Sequence, residues 1–229
     1  MSTSSITPAA VVVATPPNYT ESTMIQIRAK PECLLFDLGG VLVEWDGIEP
    51  LVRLTHGRLT SEQARRFWLE SEWVRRFETG RCDSADFAAG AVRELGVDLE
   101  PADFLDAFRS WDKGPLPGSF ELLEALRPHF TLACLSNNNP LHWSASRLQK
   151  LVACFHRSYA SFEIGLIKPD AAVYEWVISD LQLKPGAILF FDDNPECVTA
   201  ARSLGMRACL AQGPATVREA LAELGVEVG

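Results

Sequence analysis

The amino-acid sequence predicts an α/β protein in which a buried parallel sheet carries an all-helical insertion. Short apolar runs alternate with helical patterns along most of the chain, which is typical of a parallel sheet covered by helices. One long stretch, from about residue 48 to residue 111, breaks this alternation and contains helical patterns alone. The chain has 229 residues, of which 47% are hydrophobic, and this is enough to bury a sizeable core.

Four core strands are predicted from short apolar runs bounded by polar or turn-forming residues. They cover residues 33–37, 131–136, 187–192 and the shorter 208–210. Continuous apolar runs of this length indicate strands that are buried on both faces, as in a parallel sheet. Five helices are predicted around them, at 120–127, 140–152, 170–181, 195–204 and 217–224. Each crossover between parallel strands is expected to be right-handed.

The helical insertion is predicted between the first and second core strands, over residues 47–112. Thr60 and Asp83 precede helical patterns and carry side-chain oxygens suited to N-caps. Pro101 fits the first turn of a further helix, where its missing N–H leaves no bond unmade. Aromatic side chains supply the insertion with an apolar interior of its own: Phe67, Trp68, Trp73, Phe77, Phe87 and Phe104.

The rest of the chain divides into a core and an N-terminal extension. The α/β core is predicted from residues 31–46 together with 113–229. Residues 1–30 contain closely spaced prolines and no basic region ahead of a short apolar run, so they do not resemble a signal peptide. We expect a disordered extension over these residues, with Met24 as an alternative start.

Charge and composition argue against several classes of protein. The net charge of −9 would repel a nucleic-acid backbone, so no nucleic-acid partner is expected. No apolar run near the start approaches the ~20 residues of a membrane span, so no membrane partner is expected either. Four arginines lie among glutamates and fit a solvated helix surface better than a binding stripe: Arg65, Arg66, Arg75 and Arg76.

The six cysteines form no CxxC pair and have no histidine cluster beside them. Cys33, Cys134 and Cys209 lie in or beside apolar strands, which indicates buried free thiols. Because free thiols are typical of a reducing compartment, a cytoplasmic location is expected. The sequence does not predict an oligomeric state.

Polar residues gather at the carboxyl ends of three predicted strands. They are Asp37, Ser136, Asn137, Asp192 and Asp193. Taken alone, each could be an ordinary helix cap or a turn residue. Because ligands of parallel α/β sheets bind outside the carboxyl ends of the strands, their shared position predicts one functional site.

These residue types suit phosphoryl transfer. Asp37 can act as a nucleophile and form a covalent aspartyl-phosphate. Asp37 and Asp193 together offer the hard oxygen ligands that Mg²⁺ prefers. Lys168, in a loop that enters a helix, adds a compact cation to offset the charge of a phosphate. Ser136 and nearby main-chain N–H groups can hold phosphate oxygens.

Together these motifs resemble those of the haloacid dehalogenase-like (HAD) hydrolase superfamily, over about residues 33–210. Four segments carry the resemblance: FDLGGVLV at 36–43, LSNN at 135–138, KP at 168–169 and FFDDN at 190–194. The resemblance implies a Rossmann-like core, and the helical insertion is similar to the cap of one large HAD subclass. Within the superfamily the chain looks most like bacterial α-glucose-1-phosphate phosphatases. The phosphatase domain of bifunctional epoxide hydrolases is similar more distantly.

The resemblance implies a Mg²⁺ cofactor and its protein ligands. Asp37 would be both the nucleophile and a metal ligand, and Asp193 would be the second carboxylate on the metal. The main-chain carbonyl of Gly39 would be a further ligand. Asp192 would contact the metal through a water molecule or would contact only the residues that bind the metal.

The resemblance also implies how the substrate is held. Ser136 and Asn137 would bind the phosphate group. Lys168 would orient both the nucleophile and the phosphate. The expected partner is therefore a small phosphorylated molecule.

Gly39 departs from the pattern of most HAD phosphatases, which carry a second Asp at this position as general acid and base. A positioned acid or base typically contributes about 10²–10⁴-fold. Three explanations stay open: a leaving group that needs little protonation, a slow or inactive enzyme, or another proton donor such as Asp46, His142 or a cap residue. The similar sugar phosphatases share the glycine, which favours an active enzyme.

The leading hypothesis is a Mg²⁺-dependent phosphatase of a small metabolite, such as a hexose 1-phosphate. A metal-independent 2-haloacid dehalogenase is one alternative, but it would leave Asp192 and Asp193 as like charges without a cation. A weakly active binding or regulatory protein on the same fold is another. Selectivity is expected to lie in the cap, where the candidates are Trp45, Asp46, Trp73, Arg75, Arg76 and Trp111.

Overall fold

The core of the protein is a five-stranded parallel sheet, seen in a computed structural model that describes residues 30–226. Its strands are β1 (Cys33–Phe36), β4 (Thr131–Ser136), β5 (Arg157–Ala160), β6 (Ile188–Asp192) and β7 (Arg207–Leu210), in the order β5-β4-β1-β6-β7. Two short strands, β2 (Val43–Trp45) and β3 (Asp112–Pro115), form a separate antiparallel pair. The predicted parallel α/β fold is confirmed.

The helices of the described residues account for most of the remaining chain. In order they are α1 (Ile48–Leu54), α2 (Ser61–Glu70), α3 (Glu72–Glu78), α4 (Ser84–Leu95), α5 (Pro101–Arg109), α6 (Ser119–Leu126), α7 (Pro140–Trp143), α8 (Ser146–Val152), α9 (Ser161–Ile164), α10 (Ala171–Leu181), α11 (Pro195–Ser203) and α12 (Gly213–Glu223). A 3₁₀ turn, Pro185–Ala187, precedes β6.

The central strand β1 is covered on both faces. Leu34 and Phe36 belong to one apolar cluster, while Cys33 and Leu35 belong to another on the opposite side of the sheet. All four side chains are fully buried. Burying a large apolar side chain stabilises a fold by about 1.5–3 kcal/mol, so this strand anchors the sheet.

Helices α1–α5 share a third apolar cluster of their own. The predicted caps are present: Thr60 forms a capping box with Gln63 at the start of α2, and Asp83 accepts the N–H of Asp86 at the start of α4. Pro101 is the first residue of α5, as expected. The β2–β3 pair lies where the chain enters and leaves these helices. The domain boundaries at residues 47 and 112 stay a prediction.

Two contacts hold the end of α3 against the sheet-bearing core. Arg75 forms an ion pair with Asp170, which precedes α10. Gly80, just beyond α3, has a φ of +68°, and a Cβ there would lie 2.5 Å from the carbonyl oxygen of Phe162. Only glycine permits this backbone-to-backbone approach. The last turn of α3 is therefore fixed close to the core.

The structure differs from the prediction at the single helix expected over 140–152. This segment forms two helices, α7 and α8, because Ala145 adopts an extended conformation with a ψ of 127°. The hydroxyl of Ser144 donates to the carbonyl of Leu141 at 3.2 Å, a local bond that helps end α7. Strand β5 was not predicted, since its four residues begin with the exposed Arg157 and show no apolar run.

The composition-based expectations have mixed outcomes. All six cysteines are free; Cys33 and Cys134 are buried as expected, but Cys209 is only half-buried. Arg65, Arg66 and Arg75 are exposed on α2 and α3, and Arg76 is half-buried. Among the described helices none is long and apolar enough to cross a lipid bilayer. The predicted N-terminal extension lies outside the described residues, except for Lys30.

Phe104→Ala should test the independent apolar cluster of α1–α5. Phe104 is fully buried against Phe87, Phe108 and Trp111. We expect the free energy of unfolding to fall by about 3–5 kcal/mol, because the cavity left behind fills only partly. Urea denaturation measures the loss. Leu69→Ala is the matched control, since Leu69 is 61% exposed, and similar losses in the two variants would contradict this packing.

Candidate active site

Three neighbouring strands bring their polar carboxyl ends to one edge of the sheet. β1 runs directly into Asp37, β4 ends at Ser136, and β6 ends at Asp192. The strands lie side by side in the order β4-β1-β6. The structure thus brings together the residues that the sequence placed at strand ends, with Asp193 beside them.

Lys168 is the electrostatic centre of this edge. Its ammonium nitrogen lies 2.8 Å from Asp37 Oδ1 and 2.6 Å from Asp192 Oδ2, and its side chain is only 3% exposed. Burial alone would lower the pKa of Lys168, but Asp192 and Asp37 outweigh burial and raise this pKa well above its usual value. Lys168 therefore carries its positive charge at neutral pH and holds two strand ends together.

Asn137 fixes the position of Lys168. Its side-chain amide donates to the carbonyl of Lys168 at 2.9 Å and accepts the N–H of the same residue at 2.9 Å. The phosphate-binding role expected for Asn137 stays a prediction; in the structure its side-chain amide bonds the main chain of Lys168. Ser136 is freer, since its hydroxyl makes only long contacts of 3.4 Å with Asn137 and Asn138.

Asp37 is buried and held through one of its two oxygens. Oδ1 accepts the N–H of Leu38 at 2.7 Å as well as the bond from Lys168. Burial raises the pKa of Asp37 to about 7; Lys168 opposes this shift, while Asp192 and Asp193 add to it. A further positive charge beside these acids would favour the ionised form of Asp37, which is the nucleophilic form.

Three carboxylates could hold a metal ion. Asp37, Asp192 and Asp193 have ligand atoms within 4.8 Å of one another, which makes them a candidate cation site within the described residues. Both oxygens of Asp192 are already bonded, one to Lys168 and the other to the N–H of Asn194 at 2.8 Å. The donor set fits a hard cation such as Mg²⁺, with Asp37 and Asp193 better placed than Asp192 to bind it directly.

Gly40 makes room for Asp193. A Cβ at position 40 would lie 2.1 Å from Asp193 Oδ2, and the backbone there has a φ of +73°. Both observations require glycine, because a side chain would collide with the carboxylate and strain the backbone. Gly39 is different, since a Cβ there would meet only the Trp45 Cβ, at 4.0 Å. The FDLGG segment therefore allows the main chain at Gly40 to lie directly against the Asp193 carboxylate.

The two residues proposed from sequence as substitute proton donors are both committed elsewhere. Asp46 Oδ1 accepts two main-chain N–H groups at the start of α1, each at 3.2 Å. His142 is buried, with Nε2 at 2.9 Å from the carbonyl oxygen of Phe108 and Nδ1 at 3.3 Å from the Asn139 amide. Burial lowers the pKa of His142. Asp46 does not line the cavity described below, whereas His142 lines it but has a hydrogen-bond partner at each ring nitrogen.

A cavity of about 350 Å³ lies over Asp37, between the sheet edge and the helical insertion. Its lining combines an aromatic wall with polar side chains. The principal residues are Asp37, Trp45, Trp68, Glu78, Phe108, Asp112, Ser136, Asn138, Asn139, Lys168, Asp192, Asp193 and Gln212. Glu78 was not identified from sequence: the glycine at position 80 marks the end of its helix, but nothing in the pattern shows that this end meets the core.

Most of the cap residues suggested from sequence do not reach this cavity. Trp45 lines it, whereas Asp46, Trp73, Arg75, Arg76 and Trp111 do not. Their roles are structural: Arg76 stacks over Trp73 at 4.9 Å, and Trp111 is buried in the apolar cluster of the helices.

Acidic side chains outnumber basic ones in the lining of the cavity. In the described part of the chain, five carboxylates line it against one lysine: Asp37, Glu78, Asp112, Asp192 and Asp193 against Lys168. A dianionic phosphate could not approach such a surface without a compensating cation. The arrangement therefore suits a divalent metal together with a carboxylate nucleophile.

A parallel sheet with acids at its strand ends and helices inserted after its first strand is the architecture of a class of capped α/β hydrolases. A family model for haloacid dehalogenase-like hydrolases matches residues 31–205. The chain belongs to this family of hydrolases. The resemblance drawn from the sequence motifs is therefore confirmed.

The chain is also similar to named proteins and to a solved structure. The chain is 28% identical to the drimenol cyclase DrtB of Aspergillus calidoustus. That match covers 77% of this chain but only 33% of the cyclase. It is 23% identical to the D-ribitol-5-phosphate phosphatase of Bacteroides thetaiotaomicron, covering 82% of this chain and 95% of that one. A HAD family enzyme of Bacteroides thetaiotaomicron, solved with magnesium and inorganic phosphate, superposes with a TM-score of 0.63 and 24% identity. That match covers 78% of this chain and 93% of the other.

Gly40→Ala should weaken binding of a divalent cation, whereas Gly39→Ala should not. The first substitution drives a Cβ into Asp193, and the second places one in ordinary van der Waals contact with the Trp45 Cβ. We expect the dissociation constant for Mg²⁺, measured by calorimetric titration, to rise at least about tenfold in Gly40→Ala, which corresponds to 1.4 kcal/mol. Circular dichroism checks that both variants fold. Equal affinities in the two variants would place the cation away from Asp193.

Proposed function

We propose that the protein is a Mg²⁺-dependent phosphatase of a small phosphorylated metabolite, such as a sugar phosphate, and that it acts through an aspartyl-phosphate. The observation that carries this proposal is the contact of Asp37 with the buried ammonium of Lys168, beside the Asp193 carboxylate. A carboxylate held in this way can attack phosphorus through its second oxygen.

In this mechanism Asp37 Oδ2 attacks the phosphate, while Lys168 keeps Asp37 oriented through Oδ1. The Ser136 hydroxyl donates to a phosphate oxygen, and Lys168 lies close enough to the same site to offset its charge. Asn137 contributes by holding the Lys168 peptide, so it acts as a positioning residue. Water then releases phosphate and regenerates Asp37.

Mg²⁺ would be held by Asp37, Asp193 and the Gly39 carbonyl, and when bound it would neutralise the charge of the transferring phosphoryl group. Asp192 would support this arrangement from behind, since it bonds Lys168 and the Asn194 N–H. A magnesium complex of a structural relative at 24% identity supports the choice of metal.

The cavity walls support a polyhydroxylated leaving group. Trp45 and Trp68 meet edge to face with ring centroids 5.4 Å apart, and they offer an apolar surface to the carbon face of a sugar. Asp112 lines the cavity, and its Oδ2 has no hydrogen-bond partner among the described residues, so this oxygen would accept a hydrogen bond from a hydroxyl group of the substrate. The D-ribitol-5-phosphate phosphatase is a relative whose named substrate has this chemistry.

A panel of phosphorylated metabolites, assayed for released phosphate with and without Mg²⁺, tests the proposal. We expect hydrolysis of at least one sugar or polyol phosphate, and complete loss of that activity with a chelator. Metal-independent release of halide from a 2-haloacid would instead support the dehalogenase alternative. Binding of phosphate esters without turnover would support a regulatory protein.

Asp37→Asn should abolish turnover, because an amide cannot form the acyl-phosphate. We expect less than about one hundredth of the wild-type kcat, measured with the best substrate of the panel. Asp46→Asn is a matched control, since Asp46 lies outside the cavity and asparagine also caps helices. Activity in Asp37→Asn close to that of the control would exclude the covalent mechanism.

A further inference from the structure

We propose that Glu78 is the general acid that protonates the leaving-group oxygen, taking the place of the acid that is missing at Gly39. This inference rests on the proposed phosphatase function and adds a catalytic residue to it. Because Glu78 belongs to the helical insertion, the proposal gives the insertion a part in the chemistry as well as in selectivity.

The position of Glu78 supports this role. It is the last residue of α3 and lines the same cavity as Asp37 and Lys168. The Arg75–Asp170 ion pair and the close approach of Gly80 to the core hold this end of α3 in place. A side chain on a docked helix end is more precisely positioned than one on a loose loop.

The carboxyl group of Glu78 is uncommitted and suited to donate a proton. Within residues 30–226 it makes no hydrogen bond and no ion pair. Burial raises the pKa of Glu78 to about 8, with Lys168 lowering it and Asp37 raising it. A carboxyl with such a pKa is largely protonated at neutral pH, which is the form that a general acid requires.

The other acids of the cavity are less suitable. Asp192 is bonded through both oxygens, and Asp193 belongs to the candidate cation cluster. Asp112 accepts the N–H of Gly114 at 2.7 Å through Oδ1, which also lies 3.7 Å from Arg147 Nε. Glu78 is therefore the cavity carboxyl without a structural task.

The proton balance closes within one turnover. Asp37 attacks phosphorus, the P–O bond to the leaving group breaks, and the leaving oxygen takes the proton of Glu78 to depart as an alcohol. Glu78 is then a carboxylate. A water molecule attacks the aspartyl-phosphate, its proton passes to Glu78, and inorganic phosphate leaves. The acid is thus restored, with water as the co-reactant.

A leaving-group series distinguishes this role from a structural one. Glu78→Gln keeps the shape of the side chain but cannot donate a carboxyl proton. The quantity compared is the rate of leaving-group release in a single turnover, because Glu78 also takes part in the later attack of water. With a primary-alcohol ester such as a hexose 6-phosphate, we expect this rate to fall about 10²–10⁴-fold. With p-nitrophenyl phosphate, whose leaving group needs no proton, the same rate should fall by less than about tenfold, because only transfer to an alkoxide depends on the acid.

Two further variants complete the experiment. Glu72→Gln, at the exposed start of α3, is the matched control and should leave both rates unchanged. Glu78→Asp keeps an acid but withdraws it by one methylene, so it should lose part of the alkyl-ester rate and keep the aryl-ester rate. It also provides the test if Glu78→Gln does not fold.

The outcomes separate the two levels of the proposal. A folded Glu78→Gln that loses both rates equally, or loses neither, overturns the role of Glu78 while leaving the phosphatase function intact. A wild-type protein that hydrolyses no ester of the series with Mg²⁺ present overturns the proposed function, and the role of Glu78 with it. A selective loss with the alkyl ester supports both.

Discussion

The buried ion pairs of Lys168 with Asp37 and Asp192 are the constraint on which the rest of the site depends. A buried ammonium is tolerated only when charge partners compensate its desolvation, and these partners come from two adjacent strands. The strands must therefore end at the same level, and the loop that carries Lys168 must reach across the sheet edge. Asn137 holds this loop in place, because its side chain bonds both the main-chain N–H and the main-chain carbonyl of Lys168. The Lys168 side chain thus connects the end of β1, the end of β6 and its own loop.

The helical insertion supplies the part of the cavity wall that the sheet edge lacks. The strand ends carry the candidate nucleophile and the candidate metal ligands, with Lys168 beside them, but these groups lie at an open edge. Helices α1–α5 close it with an aromatic wall and one carboxyl, and they are held by contacts at the end of α3. Their own apolar cluster keeps them rigid, so the positions of Trp68 and Glu78 are set by packing inside the insertion and by docking to the core.

The sequence predicted the sheet edge better than it predicted the insertion, for a physical reason. Short apolar strands and the polar residues at their ends are local patterns, and parallel pairing brings those ends together whatever lies between them. Glu78 could not be found in this way, because its function depends on how a helix docks against residues more than eighty positions away. The break between α7 and α8 at Ala145 and the bonds of the Asn137 side chain to Lys168 likewise depend on local backbone conformation and side-chain bonds that no periodicity reveals.

The acidic lining has a consequence for which substrates can enter. Beyond the candidate metal cluster, the cavity presents Glu78 and Asp112 to the leaving group, and the described lining offers it no arginine or second lysine. A molecule that carried another phosphate or a carboxylate at its far end would meet the Asp112 carboxylate there, with no basic side chain of the described lining beside it to offset the repulsion. Under the proposed phosphatase function, this lining would favour monophosphates of neutral alcohols over bisphosphates and phosphorylated acids of the same size.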